Sequence, residues 1–459
     1  MKPPHSSLIL LLTLILLTTN SPTILVGSLA FTPSPLTQKV RVDFPAINTD
    51  VVYLDSAASS QKPNFVIDAQ SEFDRTTHSN VHRGAHKMSR EATRRYEAAR
   101  DSLVKFVNAD SRKEVIFTSG ATNSLNLIAH SWGIHNLEPD SEIILSIMEH
   151  HSSIVPWQLV QQNFTPSVKI KFCPLNADNS DLDYDELEKM MNENTKVVSI
   201  VHTSNTLGIT TDTKRIAEIK AKKAAEDSIY IVDGCQSLPH KKVDVQQLSC
   251  DFFVASAHKM VGPTGVGLLW GKESLLNKMP PFMGGGEMID VVTTSGSTFA
   301  DLPGKFEAGT PMIGQAIGWG VALEYIERIG GMEEIEKCES NIGKYLYTKL
   351  QEIPDVTLYG PTDPTKRAAL AAFSVKGIHV SDIATFLDLE KIAIRAGHHC
   401  TQPLHDMLGI SHTARASCYF YTTQQDVDVF IEKLKETIDF FKSQQSGSSD
   451  TSNEIDYFE

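Results

Sequence analysis

The chain has 459 residues, enough to bury a large core and hold two domains. Its formal net charge of −14 argues against nucleic acid or an anionic membrane as the main partner. Six cysteines (Cys173, Cys235, Cys250, Cys338, Cys400, Cys418) are scattered without CxxC spacing, so neither a metal site nor a disulfide framework is expected. Most of them read as buried small hydrophobes in a reducing compartment.

At the amino terminus, Lys2 precedes the unbroken apolar run "LILLLTLILL" (residues 8–17). That run is too short to span a bilayer and has the length of a signal-peptide core. "GSLA" (27–30) offers small residues for cleavage before Phe31, so residues 1–30 read as a signal peptide and the mature form has no membrane segment. "FTPSPLTQKVRV" (31–42) follows, basic, free of acids and rich in Ser, Thr and Pro. A signal peptide followed by such a stretch resembles the bipartite presequence of algae with secondary, red-alga-derived plastids. Residues 31–42 are therefore expected to be a transit-like presequence and the destination a plastid (chloroplast stroma), with the secretory pathway and the mitochondrion as alternatives.

Beyond it, "EVIFTS" (114–119), "EIILSI" (142–147), "KVVSIVHTS" (196–204), "SIYIVDG" (228–234), "DFFVAS" (251–256) and "VGLLWG" (266–271) read as short strands. Helical stretches such as "TKRIAEIKAKKAAED" (213–227) separate several of them. Strands alternating with helices imply βαβ units, hence an α/β fold with a mainly parallel sheet. Residues 43–313 form the expected large domain, whose N-terminal segment can pack on the small one. The helix "GQAIGWGVALEYIERIG" (314–330) opens a smaller α/β domain ending at 441, and the polar residues 442–459 read as a disordered tail. No internal repeat is visible.

Ligands of parallel α/β sheets collect at the carboxyl ends of the strands. The residues just past each strand are therefore informative. "EVIFT" leads into "SGATNS", a glycine turn opening a helix, where backbone amides including that of Ala121 and the Thr122 hydroxyl suit a phosphate. "EIILSIM" leads into "EHHSS" with His150, "VVSIVHTS" into Asn205, and "IYIV" into "DGCQS" with Asp233 and Gln236. "DFFVA" leads into Ser256, His258 and Lys259. Singly these are a helix cap, a core histidine, a turn and a solvated loop charge. Together they are the set that pyridoxal 5′-phosphate needs. A lysine forms the Schiff base, and a carboxylate keeps the pyridine nitrogen protonated so that the ring acts as an electron sink. Amides can hold the phenolic oxygen, an imidazole can stack on the ring, and the remaining donors can bind phosphate.

"SAHKMVGPTGVG", "DGCQS", "TSGATNS", "SNVHRGAH", "MEHHSS" and "KFEAGTP" together closely resemble the fold-type I, class V pyridoxal-phosphate enzymes, and among them the cysteine desulfurases. The resemblance runs from "YLDSAASSQKP" (53–63) to "TARASCYFYTT" (413–423). It implies a seven-stranded-type large-domain sheet. Lys259 would be the Schiff-base lysine, Asp233 the pyridine partner and His150 the stacked histidine, with Asn205 and Gln236 on the phenolic oxygen. Thr122, Ser256 and His258 would bind phosphate, Ala121 contributing only its backbone amide. Thr310 of "EAGTP" would reach the phosphate of a second subunit, implying a homodimer. Cys235 stands where alanine is common and is expected merely to pack.

The reaction is read from the substrate side. "IAIRAGHHCTQPL" (392–404) sets Cys400 behind Arg395, His398 and His399, an electropositive setting suited to a nucleophilic thiolate. "ARASCYFY" (414–421) supplies Arg415, which matches the family's clamp on the substrate carboxylate, as a planar guanidinium can. The short "RAGHHC" loop resembles the group II, Suf-type desulfurases, which hand sulfur from L-cysteine to a SufE-type acceptor for iron–sulfur cluster assembly. His82, Arg83 and Glu287, in segments matching the mouth of the site, are secondary candidates. The rivals are a selenocysteine lyase acting on L-selenocysteine, another class V reaction that would leave Cys400 without a purpose, and a catalytically silent sulfur-transfer platform.

Overall fold

The computed structural model describes residues 34–48 and 50–448, with side chains described to residue 444. The expected signal peptide lies outside the described residues. Fifteen strands are described: β1 (Val52–Tyr53), β2 (Val115–Thr118), β3 (Glu142–Ser146), β4 (Lys169–Cys173), β5 (Thr195–Val201), β6 (Ile229–Asp233), β7 (Phe252–Ser256), β8 (Gly267–Gly271), β9 (Ile289–Thr293), β10 (Gly296–Phe299), β11 (Val356–Leu358), β12 (Leu370–Val375), β13 (Ile392–Ala393), β14 (Arg395–Gly397) and β15 (Thr413–Ser417).

The main sheet has seven strands in the order β2-β8-β7-β6-β5-β3-β4. Only β8 runs antiparallel to its neighbours. Every residue of β2, β3, β6, β7 and β8 is buried, the pattern of strands covered on both faces. This explains why they read as continuous apolar runs rather than alternating ones. A second, antiparallel sheet, β11-β12-β15-β14, forms the C-terminal layer. β1 pairs in parallel with β13, so the N-terminal segment joins the C-terminal layer. Among the described residues, no helix is long and apolar enough to cross a membrane.

Three sequence expectations are corrected. First, most of the expected transit-like stretch belongs to the folded body. Pro35–Val40 is a helix with proline in its first turn, and Leu36 and Val40 are buried. The Thr37 hydroxyl donates to the Phe420 carbonyl at 2.8 Å, and Arg41 grips Asp426 at 2.7 and 3.1 Å. Phe44 packs against Tyr325, Phe420 and Tyr421. Basic, Ser/Pro-rich composition concealed an apolar stripe, Leu36, Val40 and Phe44, at four-residue spacing.

Second, the helix Ile313–Ile329, expected to open the small domain, packs with the helices Asn64–Thr76 and Lys87–Val107 of the large one. The change of layer falls inside the next helix, Gly331–Gln351. Met332, Ile335 and Cys338 join the core of the large layer, whereas Ile342, Leu346 and Leu350 join that of the C-terminal layer. Third, the last helix runs Gln424–Ser448, past the expected start of a disordered tail at 442.

Candidate active site

Five strand ends build one cavity of about 160 Å³. β2 ends at Thr118, and Gly120, at φ +145°, turns the chain into the helix Ala121–Ile128. β8 starts beside this turn so closely that a Cβ on Gly267 would lie 2.5 Å from the Gly120 Cα. β3 leads to His150, which caps the helix His151–Asn163. β5 leads to Asn205, β6 ends on Asp233, and β7 ends on Ser256, followed by the tight turn Ala257–Lys259.

The lining brings together Ala121, Thr122, His150, Asn205, Asp233, Gln236, Ser256, His258 and Lys259 from the large layer with Arg395, Cys400 and Arg415 from the C-terminal one. Asp233 is buried, and one of its oxygens accepts the Cys235 amide at 2.9 Å. The Ser256 hydroxyl accepts the Ala121 amide at 2.9 Å, joining the glycine turn to the lysine turn.

His150 Nδ1 accepts the Ser152 amide at 3.2 Å, so that nitrogen carries no proton and Nε2 is the N–H of the neutral ring. Burial, and next the charge of Lys259, hold the His150 pKa down at about 4. Burial and Lys259 also bring His258 down to about 4. Both histidines are therefore neutral at physiological pH. Burial pushes the Cys235 thiol well up, which makes it an inert wall residue, as expected for a packing cysteine.

Arg415 is fully buried and bridges the layers. Its Nη1 donates to the Asn205 carbonyl at 2.8 Å and its Nη2 to Asp55 at 3.1 Å. Burial raises the Asp55 pKa and the Arg415 charge opposes that rise. The loop before Cys400 is locally strained, with His399 at φ +51° and Cys400 at φ +59°. It is tied down on both sides, because the Asn205 amide donates to the His399 carbonyl and the His151 N–H donates to the Cys400 carbonyl, each at 2.8 Å. The expected positive contribution of His399 is corrected: burial, then the Arg415 charge, lower its pKa to about 2. Arg395 and Arg415 line the cavity beside this loop and carry permanent charge.

The three residues expected at the mouth do not line this cavity in the single chain, and neither does Thr310, whose expected place is a second subunit's phosphate site. His82 pairs with Glu97 at 3.0 Å and Arg83 with Glu287 at 3.3 Å. Thr310 is exposed and lines a separate cleft with Asp74 and Asn80. Sequence reasoning also missed Asp55 and Glu149. Asp55 was legible only as part of "YLDSAAS". Glu149 is fully buried, with one oxygen accepting from the Ser146 hydroxyl and, at 2.7 Å, from the Val201 amide.

The residues present fit pyridoxal phosphate. A lysine and a buried carboxylate stand in one cavity with a glycine turn opening a helix. Arg415 Nε is a buried donor with no protein partner, the condition of a group awaiting a polar ligand. The expected donation from Asn205 and Gln236 to a phenolic oxygen is corrected: their NH2 groups donate to the His399 and Ala57 carbonyls, and the unpartnered atoms are the acceptors Oδ1 and Oε1.

Residues 52–430 match the family model for class-V aminotransferases. The chain is 47% identical to a probable cysteine desulfurase of Synechocystis over 88% of its length and 96% of the relative's. It is 46% identical to a probable cysteine desulfurase of Halalkalibacterium halodurans, over 88% of this chain and 98% of that one. Among solved structures it is similar to the cysteine desulfurase CsdA of Escherichia coli (TM-score 0.81, 35% identity, covering 90% of this chain and 99% of that one). It is also similar to the apo cysteine desulfurase of Thermococcus onnurineus (TM-score 0.82, 36% identity, 89% and 99%). Matched across almost all of its folded body, the chain belongs to the class-V aminotransferase family, with cysteine desulfurases among its relatives.

Proposed function

We propose that this protein is a pyridoxal-phosphate-dependent cysteine desulfurase that converts L-cysteine to L-alanine and takes the sulfur onto Cys400 as a persulfide. The observation that carries the reading is the placement of Cys400 in the same small cavity as Lys259, Asp233 and Arg415. Lys259 would anchor the cofactor, Asp233 would hold the pyridine nitrogen protonated, and neutral His150 would cover the ring. The Gly120 turn, Thr122, Ser256 and neutral His258 would take the phosphate. When bound, the cofactor supplies an electron sink for the substrate carbons.

Arg415 retains an unused Nε–H for the substrate carboxylate, and its bonds to Asn205 and Asp55 fix the plane of the guanidinium. The strained, doubly tethered loop keeps Cys400 in the wall of the cavity that would hold that substrate. In the net reaction the C–S bond of cysteine breaks and an S–S bond forms on Cys400. The S–H proton stays on the persulfide and the Cys400 proton replaces sulfur on the carbon, which gives alanine.

The finer reading is a group II, Suf-type enzyme. The short Cys400 loop favours delivery to a SufE-type acceptor protein and onward to iron–sulfur cluster assembly. A homodimer is part of the proposal, with Thr310 of a second copy completing the phosphate site and with His82, Arg83 and Glu287 serving its mouth. The exposed Val291 and Phe299, on one face of the hairpin β9–β10, offer apolar surface to that copy. Import into a plastid is likewise proposed, directed by the residues that precede the helix Pro35–Val40.

The test is alanine formation from L-cysteine by the cofactor-loaded chain beside Cys400→Ala, with and without a thiol reductant. Alanine from the parent and none from the variant is expected. Equal alanine from both would remove Cys400 from the reaction.

A further inference from the structure

A hydrogen-bond relay behind Cys400 fixes the protons of His399. His405 is buried, and its Nδ1 faces the Thr401 carbonyl at 3.0 Å. A carbonyl only accepts, so Nδ1 carries the proton and the Nε2 of neutral His405 is bare. Burial keeps this ring on the neutral side by lowering its pKa. The Thr413 hydroxyl lies 3.1 Å from His405 Nε2 and 2.9 Å from His399 Nε2. Its single proton must go to the bare nitrogen of His405, so its lone pair accepts from His399, which is thereby the Nε2–H tautomer. The remaining nitrogen, His399 Nδ1, is an acceptor. It is buried and has no partner, on a residue 5% exposed that lines the cavity.

Arg415 Nε is the donor among the partnerless buried atoms of this cavity, and Asn205 Oδ1 and Gln236 Oε1 are acceptors like His399 Nδ1. An amino acid that places its carboxylate on Arg415 and its side-chain sulfur at Cys400 occupies a cavity of about 160 Å³ that one further residue, the neighbour of Cys400 in the chain, also lines. That residue is His399.

We propose that His399 determines which chalcogen the site prefers: its Nδ1 accepts a hydrogen bond from the S–H of a thiol substrate, a proton that a selenol ionised at neutral pH does not offer. A thiol with a pKa of about 8.5 keeps that proton at physiological pH, whereas selenols are stronger acids. The inference rests on the desulfurase reading and sharpens it toward cysteine over selenocysteine.

The test uses the full, cofactor-loaded chain and two substitutions. His399→Gln keeps an amide that can donate to Thr413 but removes the Nδ1 acceptor. His399→Asn restores an acceptor at the Nδ1 position. The ratio of kcat/KM for L-cysteine over L-selenocysteine should fall about fivefold or more in His399→Gln, as loss of one hydrogen bond implies. It should recover toward the parent in His399→Asn. A second readout is independent of activity: in the cofactor-free chain, nitrogen NMR of His399 should show a bare Nδ1 and a protonated Nε2. Thr413→Val should mix the tautomers and Thr413→Ser should restore the single one. An unchanged substrate ratio in His399→Gln, or a protonated Nδ1 in the parent, overturns the proposal. A parent that makes alanine from neither substrate would instead refute the desulfurase reading beneath it, while a bare Nδ1 in the same protein would show the relay intact.

Discussion

Glu149, directly before His150, is fully buried, and burial drives its pKa up from 4.5 to about 8, with Asp233 nearby adding to the rise. Its second oxygen has no partner. The folded protein therefore holds this carboxyl protonated at neutral pH, which avoids a second buried anion near Asp233. In the unfolded chain the group ionises near 4.5, so between the two values the folded state binds the extra proton. The contribution of Glu149 to stability is then fully present below pH 4.5 and is lost as pH rises to about 8. Glu149→Gln is close in shape to the protonated acid, retains an oxygen to accept from Ser146 and Val201, and has no such pH dependence. At about 1.4 kcal/mol per pKa unit, the stability of the variant relative to the parent should improve by on the order of 4 kcal/mol between pH 5 and pH 8. Urea midpoints of both proteins at unit pH steps measure this directly. A relative stability that stays flat from pH 5 to pH 8 would refute the assignment of a protonated Glu149.

Removing residues 34–42 strips Leu36 and Val40 from the core and Arg41 from Asp426, so a chain beginning at Asp43 should lose about 5 kcal/mol in urea unfolding. Full stability of that truncation would contradict the place of this segment in the body. Gly267→Ala forces the Gly120 turn to move and should cost about 1–3 kcal/mol together with retention of cofactor on gel filtration. Gly284→Ala, where an added Cβ meets nothing within 4 Å, serves as the neutral control. Arg415→Lys cannot serve Asn205, Asp55 and a carboxylate with one ammonium. It should raise KM for cysteine about tenfold or more, with a smaller change in kcat; a change confined to kcat would argue against a substrate clamp.

Much of the site was legible in the residues alone. Continuous apolar runs marked buried strands. Because a parallel sheet sends its carboxyl ends to one edge, Asp233, His150, Asn205, Ser256 and Lys259 could be assigned to one cavity from their positions just past those runs. Cys400 and Arg415 reached the cavity too, although nothing local to their sequence aims them there; β14 and β15 carry them to it from the other layer. What composition suggested for residues 34–42 was overturned by packing, since a basic, proline-containing stretch with an apolar stripe becomes a strap once Phe420, Tyr421 and Asp426 are there to receive it. The helix Ile313–Ile329 changed layer for the same reason, because its wide apolar surface does not say which neighbour will cover it. The protonation of Glu149 and the tautomer of His399 were invisible in one dimension. Both depend on burial and on hydrogen-bond partners, Val201 for the first and Thr413 with His405 for the second, that only the folded chain brings within 3.1 Å.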